Sequence, residues 1–172
     1  EGLISPMGVV GDRFSKNEIY VPEMLIAARA MKSAIGLLEP ELVKAGVEPA
    51  GKFMIGTVHG DLHDIGKNLV SMMMKGAGFD VIDIGIDVTP ERFIEQAQKT
   101  SPDLIGMSAL LTTTMPALDE TLKSIRNAGI TTKVMIGGAP VTQAYADKIG
   151  AEGYSDDAAS AVGIAKRLLG LN

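Results

Sequence analysis

The chain of 172 residues is the length of one domain with a small appendage, and 46% hydrophobic residues suffice for a sizeable core. A formal charge of −5 argues against a nucleic-acid backbone or an anionic membrane as partner, and no apolar run is long enough to span a bilayer. The absence of cysteine excludes disulfides, thiolate metal sites and cysteine nucleophiles, while His59 and His63 alone cannot make a multi-histidine metal centre. No secretory signal pattern is present, so the expected location is the cytoplasm, and a start at Glu1 without methionine leads us to expect a preceding piece.

From Leu3 to about Leu38 the apolar spacing is helical. Leu3, Met7, Val10 and Phe14 form one stripe, and Met24, Ala28, Met31, Ile35 and Leu38 form another. Pro22 suits the first turn of the second helix, and Pro40 is expected just past its end. Two helices bury little by themselves, so they are expected to cover something else. Ala45 to Lys52, with Gly46, Pro49 and Gly51, reads as a linker. We therefore expect a helical cap over residues 1–48 and an α/β domain over 49–172.

Beyond the linker, strands and helices alternate. Strands are predicted at Phe53–Val58, Val81–Ile86, Leu104–Met107, Val134–Ile136 and Glu152–Tyr154. Helices are predicted from about Lys67 to Lys75, after the Thr89-Pro90-Glu91 start, through Leu118–Asn127, over Val141–Ile149 and over Ala158–Leu169. This alternation predicts a flavodoxin-like, doubly wound parallel sheet of about five strands. Ligands of such sheets bind beyond the carboxyl ends of the strands. The loops after the first, third and fourth strands are therefore the ones that carry chemistry.

The first of these loops, Gly60-Asp61-Leu62-His63-Asp64-Ile65-Gly66, contains carboxylates where a phosphate-binding loop would be glycine-rich. Nucleotide cofactors fit it poorly. It offers instead an imidazole, His63, with Asp61 two residues earlier. A ligating histidine typically donates its second N–H to such a carboxylate. The plainer reading is a surface histidine near a helix start, with Asp64 as N-cap. A phospho-acceptor receiver would need an aspartate at the end of the third strand, where Ser108 stands. After the third strand comes Ser108-Ala109-Leu110-Leu111-Thr112-Thr113-Thr114, suited to a partly apolar, acceptor-rich ligand or to helix capping. The fourth strand ends in Gly137-Gly138-Ala139-Pro140, which permits close backbone approach. The three loops lie at one end of one sheet and together describe a slot lined by small and hydroxyl residues. Met72-Met73-Met74 reads as core packing.

The ordered set Asp61-x-His63-x-x-Gly66, Ser108-x-Leu110 and Gly137-Gly138 resembles the signatures of cobalamin-binding domains in which a protein histidine replaces the cofactor's own base. The N-terminal stretch resembles the helical cap of the methyltransferase-type members, through Val9-Val10-Gly11-Asp12-Arg13-Phe14 and Tyr20-Val21-Pro22-Glu23. The resemblance implies cobalamin bound base-off, with His63 as lower axial ligand to cobalt and Asp61 accepting from its other nitrogen. Thr114 stands where methionine synthase has a serine that completes a proton relay. Gly60, Leu62, Asp64, Ile65 and Gly66 would shape the lower side of the site. Ser108, Leu110 and Thr112 would contact the nucleotide tail or corrin edge. Gly137, Gly138 and Ala139 would make room for the tail, with Tyr154, Asp157 and Ala158 near its end. Phe14 and Val21 would shield the upper face.

The implied function is that of a corrinoid carrier. It would shuttle a methyl group, cycling Co(I) and methyl-Co(III), between a substrate-specific methyltransferase and a second one that uses tetrahydrofolate or a thiol. It would be a carrier rather than a complete enzyme, served by a reductive activase. The alternatives are a cobalamin-dependent sensor, which would need a signalling module, and the small subunit of a cobalamin mutase, which would lack the cap.

Overall fold

The computed structural model describes residues 4–44 and 48–171. Two helices, α1 (Ile4–Ser15) and α2 (Val21–Lys44), precede the alternating series β1 (Lys52–Thr57), α3 (Ile65–Gly76), β2 (Asp80–Asp83), α4 (Pro90–Thr100), β3 (Leu104–Ser108), α5 (Met115–Asn127), β4 (Lys133–Gly137), α6 (Gln143–Ile149), β5 (Gly153–Ser155) and α7 (Ala158–Leu169). The sheet is parallel throughout, in the order β2-β1-β3-β4-β5. This is the doubly wound arrangement the alternation implies. The chain switches direction of winding between β1 and β3, which opens a crevice at their carboxyl ends. No helix among the described residues is long and apolar enough to cross a membrane.

Strand alternation divides the core between two faces. Met54, Ile105, Val134 and Ile136 pack with Phe93, Leu118, Leu122 and Ile125 on the face covered by α4, α5 and α6. Phe53, Ile55, Leu104 and Met135 pack with Met74, Ala161 and Ala165 on the face covered by α3 and α7. The helices α1 and α2 lie outside α3 and α7. Met7, Met24, Ala28 and Met31 meet Leu69, Met73 and Ala158 there. The methionine triplet is thus core packing, with Met74 turned to the sheet and Met73 to the outer helices.

Several boundaries differ from expectation. α2 continues through Pro40 to Lys44 rather than ending before it. A proline there removes one N–H from the helical ladder, but the helix carries on for another turn. Leu38 is exposed, beyond the part of α2 that meets α3. β2 stops at Asp83, not Ile86, because Gly85 turns the chain at φ +98°. Leu3 and residues 45–47 of the expected linker lie outside the described residues.

Candidate functional site

Asp61 is the centre of the site. After β1, Val58 still bridges to Val88, Gly60 turns the chain at φ +81°, and Asp61 N donates to Val58 O at 3.1 Å. The side chain is fully buried. His63 N (3.0 Å) and His63 Nδ1 (2.7 Å) donate to Oδ1. Leu110 N and the Thr114 hydroxyl donate to Oδ2, both at 2.7 Å. Burial pushes the Asp61 carboxyl up, but the bonds from Thr114, Leu110 and His63 outweigh it and hold the group well below the usual carboxylate range.

An ionised carboxylate only accepts, so Nδ1 of the neutral ring carries the hydrogen and Nε2 keeps its lone pair. Nε2 has no hydrogen-bond partner among the described residues, and the side chain is 49% exposed. The backbone of His63 is fixed too, because the Thr57 hydroxyl donates to its carbonyl at 2.9 Å. Sequence reading missed Thr57. Its signal was the lone hydroxyl at the end of an otherwise apolar strand.

Two capping positions depart from the plainer reading. Thr114 sits just before α5 but makes no capping bond, its hydroxyl being used on Asp61. Asp64 precedes α3 without capping it and accepts instead from Asn68 Nδ2 at 3.0 Å.

Beside His63 a cavity of about 600 Å³ runs between the sheet and the starts of α3 and α7. Its existence follows from side-chain size. Gly106 and Ser108 of β3, Gly137 of β4 and Ser155 of β5 all line it at the carboxyl end of the sheet, where larger residues would fill the space. Phe53, Ile55 and Met135 form its apolar floor, and Phe14 reaches it from α1. Leu62 and Ile65 stand 67% and 78% exposed at the mouth, with Leu110 and Leu111 also in solvent. Such apolar exposure beside an apolar slot marks a ligand seat.

The structure brings most of the expected residues together. Leu62, His63, Asp64, Ile65, Gly66, Ser108, Leu110, Gly137, Gly138, Ala139, Asp157, Ala158 and Phe14 all border the cavity. Asp61 and Thr114 are buried behind His63. The others lie elsewhere. Tyr154 points to the opposite face of β5 and packs on the α4–α6 side, and Ser155 takes the slot position instead. A strand's period of two explains that placement. Thr112 is exposed off the rim, Val21 stands in solvent at the start of α2, and Gly60 serves the turn before Asp61. Asp157 caps α7, accepting from Ala159 N and Ser160 N. A Cβ on Gly138, whose φ is +132°, would lie 1.8 Å from Ala109 O, so this glycine admits the neighbouring loop as well as bordering the slot.

Residues 51–163 match the model of the B12 binding domain, and residues 1–39 match a second B12-binding model. The chain belongs to the B12-binding family. It is 42% identical over 174 residues to a corrinoid protein of Desulfitobacterium hafniense, covering 98% of this chain and 81% of that one. It is 45% identical over 171 residues to dimethylamine corrinoid protein 3 of Methanosarcina acetivorans, covering 98% and 80%. Among solved structures it resembles the methanol:cobalamin methyltransferase complex of Methanosarcina barkeri, with TM-score 0.85 and 31% identity over 98% of this chain and 65% of that chain.

The residues present suit the B12-binding family's cofactor. No group of three or more His, Cys, Asp or Glu side chains converges as a metal site among the described residues. What the site offers such a cofactor is one imidazole nitrogen, His63 Nε2, without a hydrogen-bond partner among the described residues. The slot beside it is roomy, apolar at its floor and open to solvent at a greasy rim.

Proposed function

We propose that this B12-binding protein carries a methyl group on corrinoid cobalt between two methyltransferases, with the cofactor base-off and His63 Nε2 as its lower axial ligand. The observation that carries the reading is the Asp61–His63 pair, fixed at 2.7 Å, with the half-exposed ring lining a slot of small residues and Nε2 left without a partner among the described residues. When bound, the corrinoid supplies a cobalt that accepts a methyl group from one partner and yields it to the next.

The protein's part is positional and protonic. Leu110 N and Thr114 keep Asp61 anionic, so Asp61 holds the proton of His63 at Nδ1 and raises the basicity of Nε2. On release from a metal, Nε2 can take a proton while Asp61 balances the charge of the imidazolium. The slot would hold the displaced nucleotide tail against Phe53, Ile55 and Met135, and Phe14 would keep water from one side of it.

The relatives named for dimethylamine and methanol support a small methylated amine or alcohol as donor, chosen by the partner enzyme. A reductive activase belongs to this proposal as the means of recovering oxidised cobalt. The test is single-turnover transfer: the corrinoid-loaded protein, a methylamine:corrinoid methyltransferase and a labelled methylamine. The expected result is about one labelled methyl per corrinoid, passed on to a thiol when an acceptor methyltransferase is added. Label that never enters the corrinoid fraction with any methylamine or methanol enzyme would overturn it.

A further inference from the structure

The connection between β2 and α4, residues 84–89, runs beside the loop that carries Asp61 and His63 and is tied to it repeatedly. Gly85 O accepts from Thr57 N at 3.0 Å, Asp87 N donates to Asp61 O at 3.0 Å, and Val88 N donates to Thr57 O at 2.9 Å. The Asp87 carboxylate accepts from Gly60 N at 2.8 Å and lies 2.8 Å from Nδ1 of His59. Asp87 thus grips the loop on both sides of one peptide, through its side chain at Gly60 and its backbone at Asp61.

Asp87 does this from φ +51°, a left-handed conformation that aspartate tolerates when its side chain finds a local hydrogen bond, here the one from Gly60 N. The turn also returns Val88 to its bridge with Val58 and to the core, but neither of these uses the Asp87 carboxylate. The side chain is 46% exposed, so no burial fixes it. It caps no helix, since α4 is capped by Thr89, whose hydroxyl accepts from Arg92 N. What the carboxylate adds is the grip on Gly60, beside the backbone bond to Asp61.

We infer that Asp87 is a positioning residue for His63. The inference rests on the reading of His63 Nε2 as the metal ligand. Asp61 is anchored to the β3 loop through its carboxylate, by Leu110 N and Thr114. The backbone of the 58–63 turn is braced at its start, where Val58 N donates to Ser108 O and Asp61 N to Val58 O, and among the described residues Gly60 N is held by Asp87 alone. Asp87 holds the backbone at Gly60 and Asp61, and Thr57 holds it at His63 O. With both fixed, the distance of Nε2 from the seat is set by the fold rather than by the ligand. Supporting bonds of this kind decide whether a site is held tightly enough to work.

The test compares Asp87→Gly, Asp87→Asn and His63→Ala. Glycine adopts the left-handed conformation freely and removes the acceptor, whereas asparagine tolerates it and keeps an acceptor oxygen. In the apoprotein, amide exchange at Gly60 and Asp61 is read by NMR. In protein loaded with cob(II)alamin, paramagnetic resonance reads the nitrogen coupling from histidine. For Asp87→Gly the expected result is exchange about tenfold faster at Gly60 and Asp61, the equivalent of about 1.4 kcal/mol, with unchanged exchange in β4. The histidine-coupled share of cob(II)alamin should fall with it, and Asp87→Asn should restore both.

Wild-type exchange and coupling in Asp87→Gly, with coupling lost in His63→Ala, would overturn the positioning role and leave the axial reading intact. Coupling that persists in His63→Ala would overturn the axial reading, and this inference with it. Faster exchange spread evenly over the sheet, β4 included, would mean general loosening and would also count against the positioning role.

Discussion

A buried carboxylate at Asp61 is tolerable because four donors converge on its two oxygens. An asparagine in its place loses the charge and must set its NH2 against a fixed backbone donor, His63 N on one side or Leu110 N on the other, so the hold on the Nδ1–H tautomer weakens. We expect Asp61→Asn to lose axial nitrogen ligation and to unfold more easily at pH 7, by about 2 kcal/mol. The pH dependence has a definite sign. Asp61 titrates below its unfolded value of about 3.9, so its stabilisation is present above that value and fades as the pH falls beneath it. Urea unfolding of both proteins should therefore show the gap narrowing below about pH 4. A gap that holds at pH 3 would contradict the account. At this scale the Asp61-x-His63 spacing was legible because both partners share one turn. Thr57 offered only its lone hydroxyl at the end of an apolar strand, and Asp87 offered nothing, because its bond to that turn comes from the loop after the neighbouring strand, a separation no local pattern records.

Elements meet the site through small residues at strand ends. Gly138 lets the loop after β4 lie against Ala109 O, and the next residue, Leu110, gives its N–H to Asp61. Gly138→Ala would place a Cβ 1.8 Å from that carbonyl, against backbone that cannot swing aside. The expected outcome is a loss of about 3 kcal/mol in thermal or urea unfolding, with weakened axial ligation in the folded fraction. Unchanged stability would show that the two loops do not depend on each other. The strands and helices of the α/β part were legible because apolar runs and caps such as Thr89-Pro90 are local signals. The misreadings have physical causes. Ile84 and Ile86 look like strand although Gly85 turns the chain between them, and Tyr154 shares a strand end with Ser155 but not its face.

On the scale of the whole molecule, the N-terminal helices meet α3 and α7 through flexible methionines and small residues. Met73 Cε lies 3.0 Å from where a Cβ on Gly11 would stand, and Met7, Met24 and Met31 fill the rest with Ala28 and Ala158. Methionine adapts to irregular gaps without strict geometry, so this seam tolerates shifts that an interlocked one would resist. Among the described residues of α1 and α2, Phe14 is the one that lines the cavity. Truncating it should admit oxygen and water. For Phe14→Ala we expect air reoxidation of the reduced, corrinoid-loaded protein to quicken several-fold, with the unfolding midpoint lowered only modestly. Unaltered reoxidation would remove Phe14 from the shielding role. The central claim is that His63 Nε2 ligates the cobalt, and its most direct test is paramagnetic resonance of cob(II)alamin bound to protein made with unlabelled and with nitrogen-15 histidine. The account predicts a splitting that changes with the label and disappears in His63→Ala. Bound corrinoid whose splitting ignores the label would contradict it.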